Sequence, residues 1–144
     1  MKDSIIKYLL LLCVAGAMLS FYLYYSEIIN VPVICPNDGC AKVAQSQYSF
    51  LLGVPISLWG FAYYIGFASL FILRDFVSIV KNNLKLLSGL YLGAGVAFTI
   101  YLRYVEFAYI HAICVWCWGS VLIMLLLVIF YFVSINQNVK KQID

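Results

Sequence analysis

The sequence has very little charge: only 10% of its 144 residues are Asp, Glu, Lys or Arg, whereas 65% are hydrophobic. A soluble domain of this length needs far more charged side chains to cover its surface. The net charge of +3 is small and scattered, and no run of Lys and Arg is present, which argues against a nucleic-acid partner. Histidine occurs once, and long internal repeats are absent. The composition predicts a single integral membrane domain spanning residues 1–144.

In place of charge, the sequence has four apolar stretches, each long enough to cross a bilayer. They are residues 5–25, 54–73, 86–102 and 112–133. A helix of about 20 residues, rising about 1.5 Å per residue, matches a hydrocarbon core of about 30 Å. Charged and amide residues separate the second stretch from the third, and the three prolines cluster around the first loop. The sequence predicts an all-α membrane protein, a bundle of four transmembrane helices.

Lysine and arginine are distributed unequally between the two sides of these stretches. Seven of them fall on the side of the termini, and only Lys42 and Arg103 on the other. Because cytoplasmic loops carry the excess of positive residues, both termini are expected in the cytoplasm and the protein in the cell (inner) membrane. Residues 26–53 and 103–111 then face outward. An alternative interpretation of the first stretch, as a cleaved signal peptide, leaves the loop at 26–53 on the same side.

Four of the five cysteines form two pairs on this outward side. Cys114 and Cys117 make a C-x-x-C motif near the start of the last stretch, where i and i+3 positions share one helix face. Cys35 and Cys40 flank Pro-Asn-Asp-Gly, a composition typical of tight turns. Disulfides persist outside the cytoplasm. The set therefore predicts an electron relay, in which the loop pair exchanges with a soluble partner and the helix pair with a molecule in the lipid.

Two other interpretations of the cysteines stay open. Four thiolates can surround one zinc or copper ion, which would make the chain a metal-binding or metal-transport membrane protein. A second C-x-x-C and nearby histidines, both common in such sites, are missing. The cysteines can also be incidental in a packing subunit, since cysteine is a good small hydrophobe. The fifth, Cys13, lies midway along the first stretch and is interpreted as a packing residue.

Three motifs together resemble a known family. They are CPNDGCAKVAQS at 35–46, GVPISLWG at 53–60 and EFAYIHAICVWC at 106–117. With the four short membrane stretches, they make the chain similar, from about residue 5 to 133, to the vitamin K epoxide reductase family in its prokaryotic branch. The first and third motifs carry the specificity. The other quinone-linked disulfide generator of the bacterial periplasm also has four helices, but its cysteine pairs come in the opposite order.

The resemblance implies a four-helix bundle that holds a quinone, of ubiquinone or menaquinone type, near its outward end. Cys35 is then the loop cysteine that exchanges with a thioredoxin-like partner. Cys40 passes the disulfide to and from Cys114, and Cys117 is the thiolate that reacts with the quinone. The implied activity is that of a quinone-dependent thiol–disulfide oxidoreductase that generates disulfides outside the cytoplasm.

The surroundings of the quinone are predicted from both the resemblance and the residues. Ser46 matches the serine that the family keeps beside the quinone carbonyl. The family's half-helix corresponds to residues 39–48, where an i+3 spacing from Cys40 to Ser46 fits a short amphipathic helix at the interface. Trp116, inside the C-x-x-C motif, is a candidate for stacking on the ring, and Val54 is a candidate for an apolar wall against it.

Two departures from the family pattern refine the expectation. Animal members place an asparagine and a tyrosine against vitamin K, where this chain has Ile56 and Val121, which favours a simple quinone over an epoxide. The chain ends shortly after its last helix, without the fused thioredoxin-like domain of some prokaryotic members, so a separate partner is expected. Arg103 and Glu106, at i and i+3, are interpreted as a weak surface ion pair.

Overall fold

The computed structural model describes residues 3–31, 33–35, 39–74 and 76–143, with the side chains of 4–31, 33–35, 39–74, 76–78 and 82–136. In these ranges the chain forms five α-helices: α1 (Asp3–Ile28), α2 (Gly39–Ala44), α3 (Ile56–Leu73), α4 (Ser78–Val105) and α5 (Val115–Ile143). A 3₁₀ turn (Gln47–Ser49) and an antiparallel hairpin of β1 (Phe50–Leu51) and β2 (Val54–Pro55) connect α2 to α3. A π-helical turn (Glu106–Ile110) follows α4.

The four long helices α1, α3, α4 and α5 are apolar enough to cross a membrane, which confirms the predicted all-α membrane bundle. Helix α4 extends beyond its predicted stretch, 86–102, at both ends, and its part that is apolar enough to cross a membrane begins at Asn82. Its first turns, from Ser78, are polar but contain no helix-breaking residue. His111 adopts a left-handed conformation (φ 51°), which ends the π-helical turn before it. The last helix therefore begins at Val115 and not at the predicted residue 112.

The long helices pack as a closed ring, in which α1 contacts α3 and α5, and α4 contacts the same two helices. Since successive long helices run in opposite directions, the described residues of 29–55 and 106–114 lie at one end of the ring. We call this end the cysteine end, because the loop between α1 and α3 and the start of α5 carry the two cysteine pairs. The opposite end is called the far end.

The hydrophobic core fills the far half of the bundle. Leu9, Phe67 and Leu127, from three different helices, are fully buried there. Tyr63 of α3 and Tyr91 of α4 exchange hydrogen bonds, each hydroxyl donating to the other's backbone carbonyl oxygen at 3.1 and 3.2 Å. Cys13 belongs to this core cluster, which confirms its interpretation as a packing residue.

Candidate functional site: two cysteine pairs at one cavity

The short helix α2 lies directly on the segment that leads into the C-x-x-C. It packs against α5 and the π-helical turn, and a Cβ atom added at Gly39 would collide with the backbone carbonyl of Ile113. The predicted half-helix is therefore confirmed, but it ends at Ala44 and not near residue 48. It ends there because the Ser46 and Ser49 hydroxyls donate to the Val43 and Ala44 carbonyl oxygens, which competes with helix continuation.

The first cysteine pair is a disulfide between Cys35 and Cys40, with the Cα atoms 6.3 Å apart. Cys35 is half-buried, whereas Cys40, on α2, is only 2% exposed. The turn predicted between them, at residues 36–38, lies outside the described residues. One sulfur of the pair thus remains reachable from solvent while the other faces the protein interior.

The second pair consists of two free thiols at the start of α5. Cys114 immediately precedes the helix and is 3% exposed, and its carbonyl oxygen accepts the backbone N–H of Trp118 at 3.1 Å. The backbone N–H of Cys117 donates to Cys114 Sγ at 3.2 Å, so Cys114 occupies the capping position of the helix. Hydrogen bonds from the Cys117 thiol and backbone lower the pKa of Cys114 below its usual value, although burial opposes them.

A cavity of 440 Å³ lies beneath α2, enclosed by the four long helices, and Cys40, Cys114 and Cys117 all line it. Most of its wall is apolar, with residues such as Leu19, Leu102 and Met124. This volume lies within the range of about 300–1,000 Å³ typical of small-molecule sites. The cysteine end of the bundle is therefore hollow, and the hollow reaches both cysteine pairs.

The cavity wall carries a few hydroxyl and carboxyl groups. The Tyr64 hydroxyl and Ser120 Oγ are 3.1 Å apart, and because one proton suffices for this bond, the other hydroxyl keeps a free donor. Across the cavity, Ser57 Oγ donates to Glu27 Oε2 at 3.0 Å. These polar groups offer hydrogen bonds to a bound molecule in an otherwise apolar space.

Of the three residues predicted to contact the quinone ring besides Cys117, only Ser46 lies at the cavity. Ser46 lines the cavity, but its hydroxyl proton is donated to the Val43 carbonyl oxygen at 2.8 Å. Val54 and Trp116 do not line the cavity within the described part of the chain. Val54 pairs in the hairpin. Adjacent helical residues point about 100° apart, so Trp116 faces away from Cys117's side of α5.

Two tryptophans, Trp116 and Trp59, have different roles at the cysteine end. The Trp116 indole N–H donates to the Ile34 carbonyl oxygen at 3.0 Å, and its ring packs on Tyr22, so this side chain fastens the loop to α5. Trp59, on α3, lines the cavity instead. Ile56 and Val121, at the two positions where the chain departs from animal members, also line it, so both departures fall on the cavity wall.

Arg103 and Glu106 are the residues that sequence reasoning missed. The interpretation as a surface ion pair is wrong, because Glu106 is 2% exposed and Arg103 18%, and both line the cavity. Their i, i+3 spacing predicts the pairing but not the direction in which that helix face points. The sequence did contain a sign of their burial, because between residues 86 and 139 they are the only Asp, Glu, Lys or Arg residues. Charged side chains are costly in an apolar membrane stretch, so their presence there indicates a functional site.

The alternative of a metal site gains no support from the geometry. Among the described residues, no group of three or more His, Cys, Asp or Glu side chains is arranged to hold a metal ion. Cys35 and Cys40 are joined to each other, and sulfurs in a disulfide are not thiolate ligands.

Comparison with known protein families agrees with the resemblance found in the sequence motifs. Residues 7–132 match the model of the vitamin K epoxide reductase family. The match includes both cysteine pairs, α2 and the cavity, and extends over most of the 144-residue chain. Members of this family are membrane oxidoreductases that act on thiols and disulfides. The chain belongs to the vitamin K epoxide reductase family and is a membrane thiol oxidoreductase.

Proposed function

We propose that the protein oxidises a thioredoxin-like partner outside the cytoplasm and passes the electrons through its two cysteine pairs to a membrane quinone. The observation that carries this proposal is the shared cavity: Cys40, Cys114 and Cys117 line one hollow at the end of the bundle. The partner is a separate protein, and the electron acceptor is a quinone of ubiquinone or menaquinone type.

The exposures of the sulfurs support an order of exchange. Half-buried Cys35 accepts the partner's attack, so the partner leaves oxidised and Cys35 and Cys40 become thiols. Cys40 then attacks the Cys114–Cys117 disulfide at Cys114. Finally Cys35 attacks Cys40, which restores the first disulfide and expels Cys114 as a thiolate.

The last of these steps uses the environment of Cys114. A thiol with a lowered pKa is a better leaving group, and the hydrogen bonds from Cys117 lower the pKa of Cys114. The products of that step are a Cys35–Cys40 disulfide and two free thiols at 114 and 117. The structure has this combination of bonded and free sulfurs.

The cavity suits a quinone ring in volume and chemistry. Its wall is mainly apolar, as an aromatic ring and its methyl groups require, and the Tyr64–Ser120 pair keeps one hydroxyl proton for a carbonyl oxygen. Apolar Ile56 and Val121 replace the polar contacts of the animal enzymes, which favours a simple quinone as the substrate. When the ring is bound, Cys117 is the sulfur that reacts with it, and Cys114 resolves the reaction by forming the Cys114–Cys117 disulfide. Their two electrons, the Cys117 proton and one proton from solvent convert the quinone to hydroquinone.

The distribution of positive charge supports an orientation in which the cysteine end faces outward from the inner membrane, with both termini in the cytoplasm. A cysteine-free variant carrying Lys42→Cys is expected to react with a membrane-impermeant maleimide in intact cells. The matched variant Lys85→Cys is expected to react only after the cells are opened. Labelling of Lys85→Cys in intact cells would contradict this orientation.

The central test is anaerobic reduction of ubiquinone and menaquinone analogues by the purified protein, with a reduced thioredoxin-like protein as donor. One hydroquinone is expected for each partner disulfide formed. In Cys35→Ala, a Cys40–Cys114 disulfide is expected to accumulate after the quinone has oxidised Cys114 and Cys117, because the thiol that resolves it is missing, whereas Cys13→Ala is expected to show none. Partner oxidation without quinone consumption would contradict the proposal.

A further inference from the structure

The ion pair between Arg103 and Glu106 stands at the cavity wall beside the second cysteine pair. Arg103 lies in the last turn of α4, and Glu106 opens the π-helical turn. Burying such a pair removes both charges from water, and the desolvation cost offsets much of the attraction. A gain in stability is therefore a weak explanation for its presence, and its contacts with the site are the better place to look.

Glu106 fastens the segment that ends at Cys114. Its side-chain Oε1 accepts the backbone N–H of Cys114 at 2.7 Å, and its backbone oxygen accepts the N–H of His111 at 2.9 Å. The Cys114 N–H precedes the helix and has no carbonyl within the helix to bond. The buried carboxylate supplies that missing acceptor. It thereby fixes Cys114 where Cys117 can donate to its sulfur.

Arg103 keeps a positive charge next to this carboxylate. Its guanidinium group pairs with Glu106 Oε2 and lies 5.9 Å from the centre of the Trp118 ring. Its buried Nε has no hydrogen-bond partner among the described residues. The guanidinium is thus held by one carboxylate and one ring, close to both free thiols of the cavity.

We propose that the Arg103–Glu106 pair is a positioning and charge-balancing unit for Cys114. Glu106 sets the place of the sulfur at the start of α5, and Arg103 offsets the negative charge that this anchoring brings beside it. The inference deepens the proposed function, because it assigns control of thiol reactivity to the same site. Its test needs neither a quinone nor a partner protein, so the two proposals can fail independently.

The charges around Cys114 act in opposite directions. Beyond the hydrogen bonds from Cys117 and the opposing effect of burial, Glu106 raises the pKa of Cys114 and Arg103 lowers it. From α1, Glu27 lines the same cavity, and from α2, Cys40 is in a disulfide and does not titrate. Removing the charge of Glu106 alone should therefore make the thiolate form more readily, and removing that of Arg103 alone should make it form less readily.

The experiment measures the rate at which iodoacetamide modifies Cys114 across a pH series, with mass spectrometry to identify the residue. It uses the full-length protein in which the Cys35–Cys40 disulfide is intact and Cys114 and Cys117 are thiols. In Glu106→Gln the amide oxygen can still accept the Cys114 N–H, so only the charge is lost. Below the midpoint of the profile we expect its rate to rise about threefold to tenfold, and that of Arg103→Gln to fall by a similar factor. The double variant is expected near wild type. Glu27→Gln serves as the control for a carboxylate of the same cavity that does not contact Cys114.

A second measurement isolates the positioning role. The rate of Cys114–Cys117 disulfide formation with diamide is expected to stay within about threefold of wild type in Glu106→Gln. In Glu106→Leu, which has no acceptor for the Cys114 N–H, a fall of about tenfold or more is expected. Thermal unfolding of each variant identifies any that do not fold. A purely structural pair would move the Glu106→Gln and Arg103→Gln profiles in the same direction or leave both unchanged, and either result would overturn the proposal.

Discussion

The two halves of the bundle are built for opposite purposes. In the far half, aromatic and aliphatic side chains from all four long helices pack around Phe67 and Leu127, which are fully buried. In the half at the cysteine end, the same four helices enclose a cavity of 440 Å³. In the packed half, ring contacts such as that of Phe67 and Phe71, with centroids 5.2 Å apart, join successive turns of α3.

The contrast shows how a membrane bundle can remain open at one end. Lipid is as apolar as a leucine side chain, so burial alone does not draw membrane helices together, and close packing and hydrogen bonds must hold them. The reciprocal Tyr63–Tyr91 hydrogen bonds join α3 to α4 in this way. With the helices fastened by these bonds and by the core of the far half, the space at the cysteine end can stay free for a ligand.

The largest effect is expected when one free cysteine of each half, Cys117 at the cysteine end and Cys13 in the packed half, is changed to alanine. Cys117→Ala removes a sulfur that lines the cavity, and we expect quinone reduction to fall by about 1,000-fold or more, as for loss of a reacting group. Cys13→Ala changes a sulfur in the packed half and is expected to keep its activity. Steady-state quinone reduction with a dithiol donor measures both variants. Full activity in Cys117→Ala would show that the cavity is not where electrons leave the protein.

The second prediction concerns stability. Phe67→Ala leaves a void in the packed half, and its unfolding free energy is expected to fall by about 2–3 kcal/mol, at the low end for such truncations because lipid removes much of the transfer contribution. Reversible unfolding in mixed detergent micelles measures the change. The activity of the folded fraction is expected to remain.

The converse substitution is Val121→Phe, which adds volume to the hollow half. Because the cavity has room for a ring, we expect unfolding to be nearly unaffected and the KM for the quinone to rise about tenfold. If both variants lost stability equally, the two halves would not differ in packing as the structure indicates.

For the hollow half, the sequence predicted which helices and cysteine pairs are present, but not which side chains face the cavity. The four spans and the position of both cysteine pairs at one end follow from hydropathy and from the alternation of helix direction. The half-helix follows from the family resemblance and from the i+3 spacing between Cys40 and Ser46. The burial of Glu106 does not, because helical periodicity gives the spacing of side chains on a face but not the direction of that face. Trp116 was expected at the ring because it adjoins Cys117 in sequence, yet a neighbour in a helix points about 100° away.

The third prediction tests the contact between α2 and the segment before α5. In Gly39→Ala the added methyl meets the Ile113 carbonyl, and since backbone cannot yield as a flexible side chain can, α2 must shift. We expect transfer from Cys40 to Cys114 to slow by about tenfold, because small displacements of reacting groups are costly.

The matched control is Gly93→Ala, where an added Cβ meets nothing within 4 Å. Rapid mixing with a reduced partner, followed by acid quenching and analysis of the disulfides, measures the transfer step. An unchanged rate in Gly39→Ala would mean that α2 tolerates displacement and does not set the approach of the two pairs.

The smallest expected effect is a difference in pH dependence between the thiols of the two halves. The pKa of Cys114 is lowered by the hydrogen bonds from Cys117, so Cys114 keeps its thiolate on the acid side of an ordinary cysteine's titration. Its ionisation favours the folded state at high pH, and this contribution is lost as the pH falls through the lowered pKa. At pH 7 we expect alkylation of Cys114 in the folded protein to slow severalfold in Cys117→Ala. Cys13, fully buried in the packed half, is expected to react only after unfolding in either protein. Equal pH profiles for Cys114 with and without the Cys117 thiol would show that the hydrogen bond does not govern its ionisation.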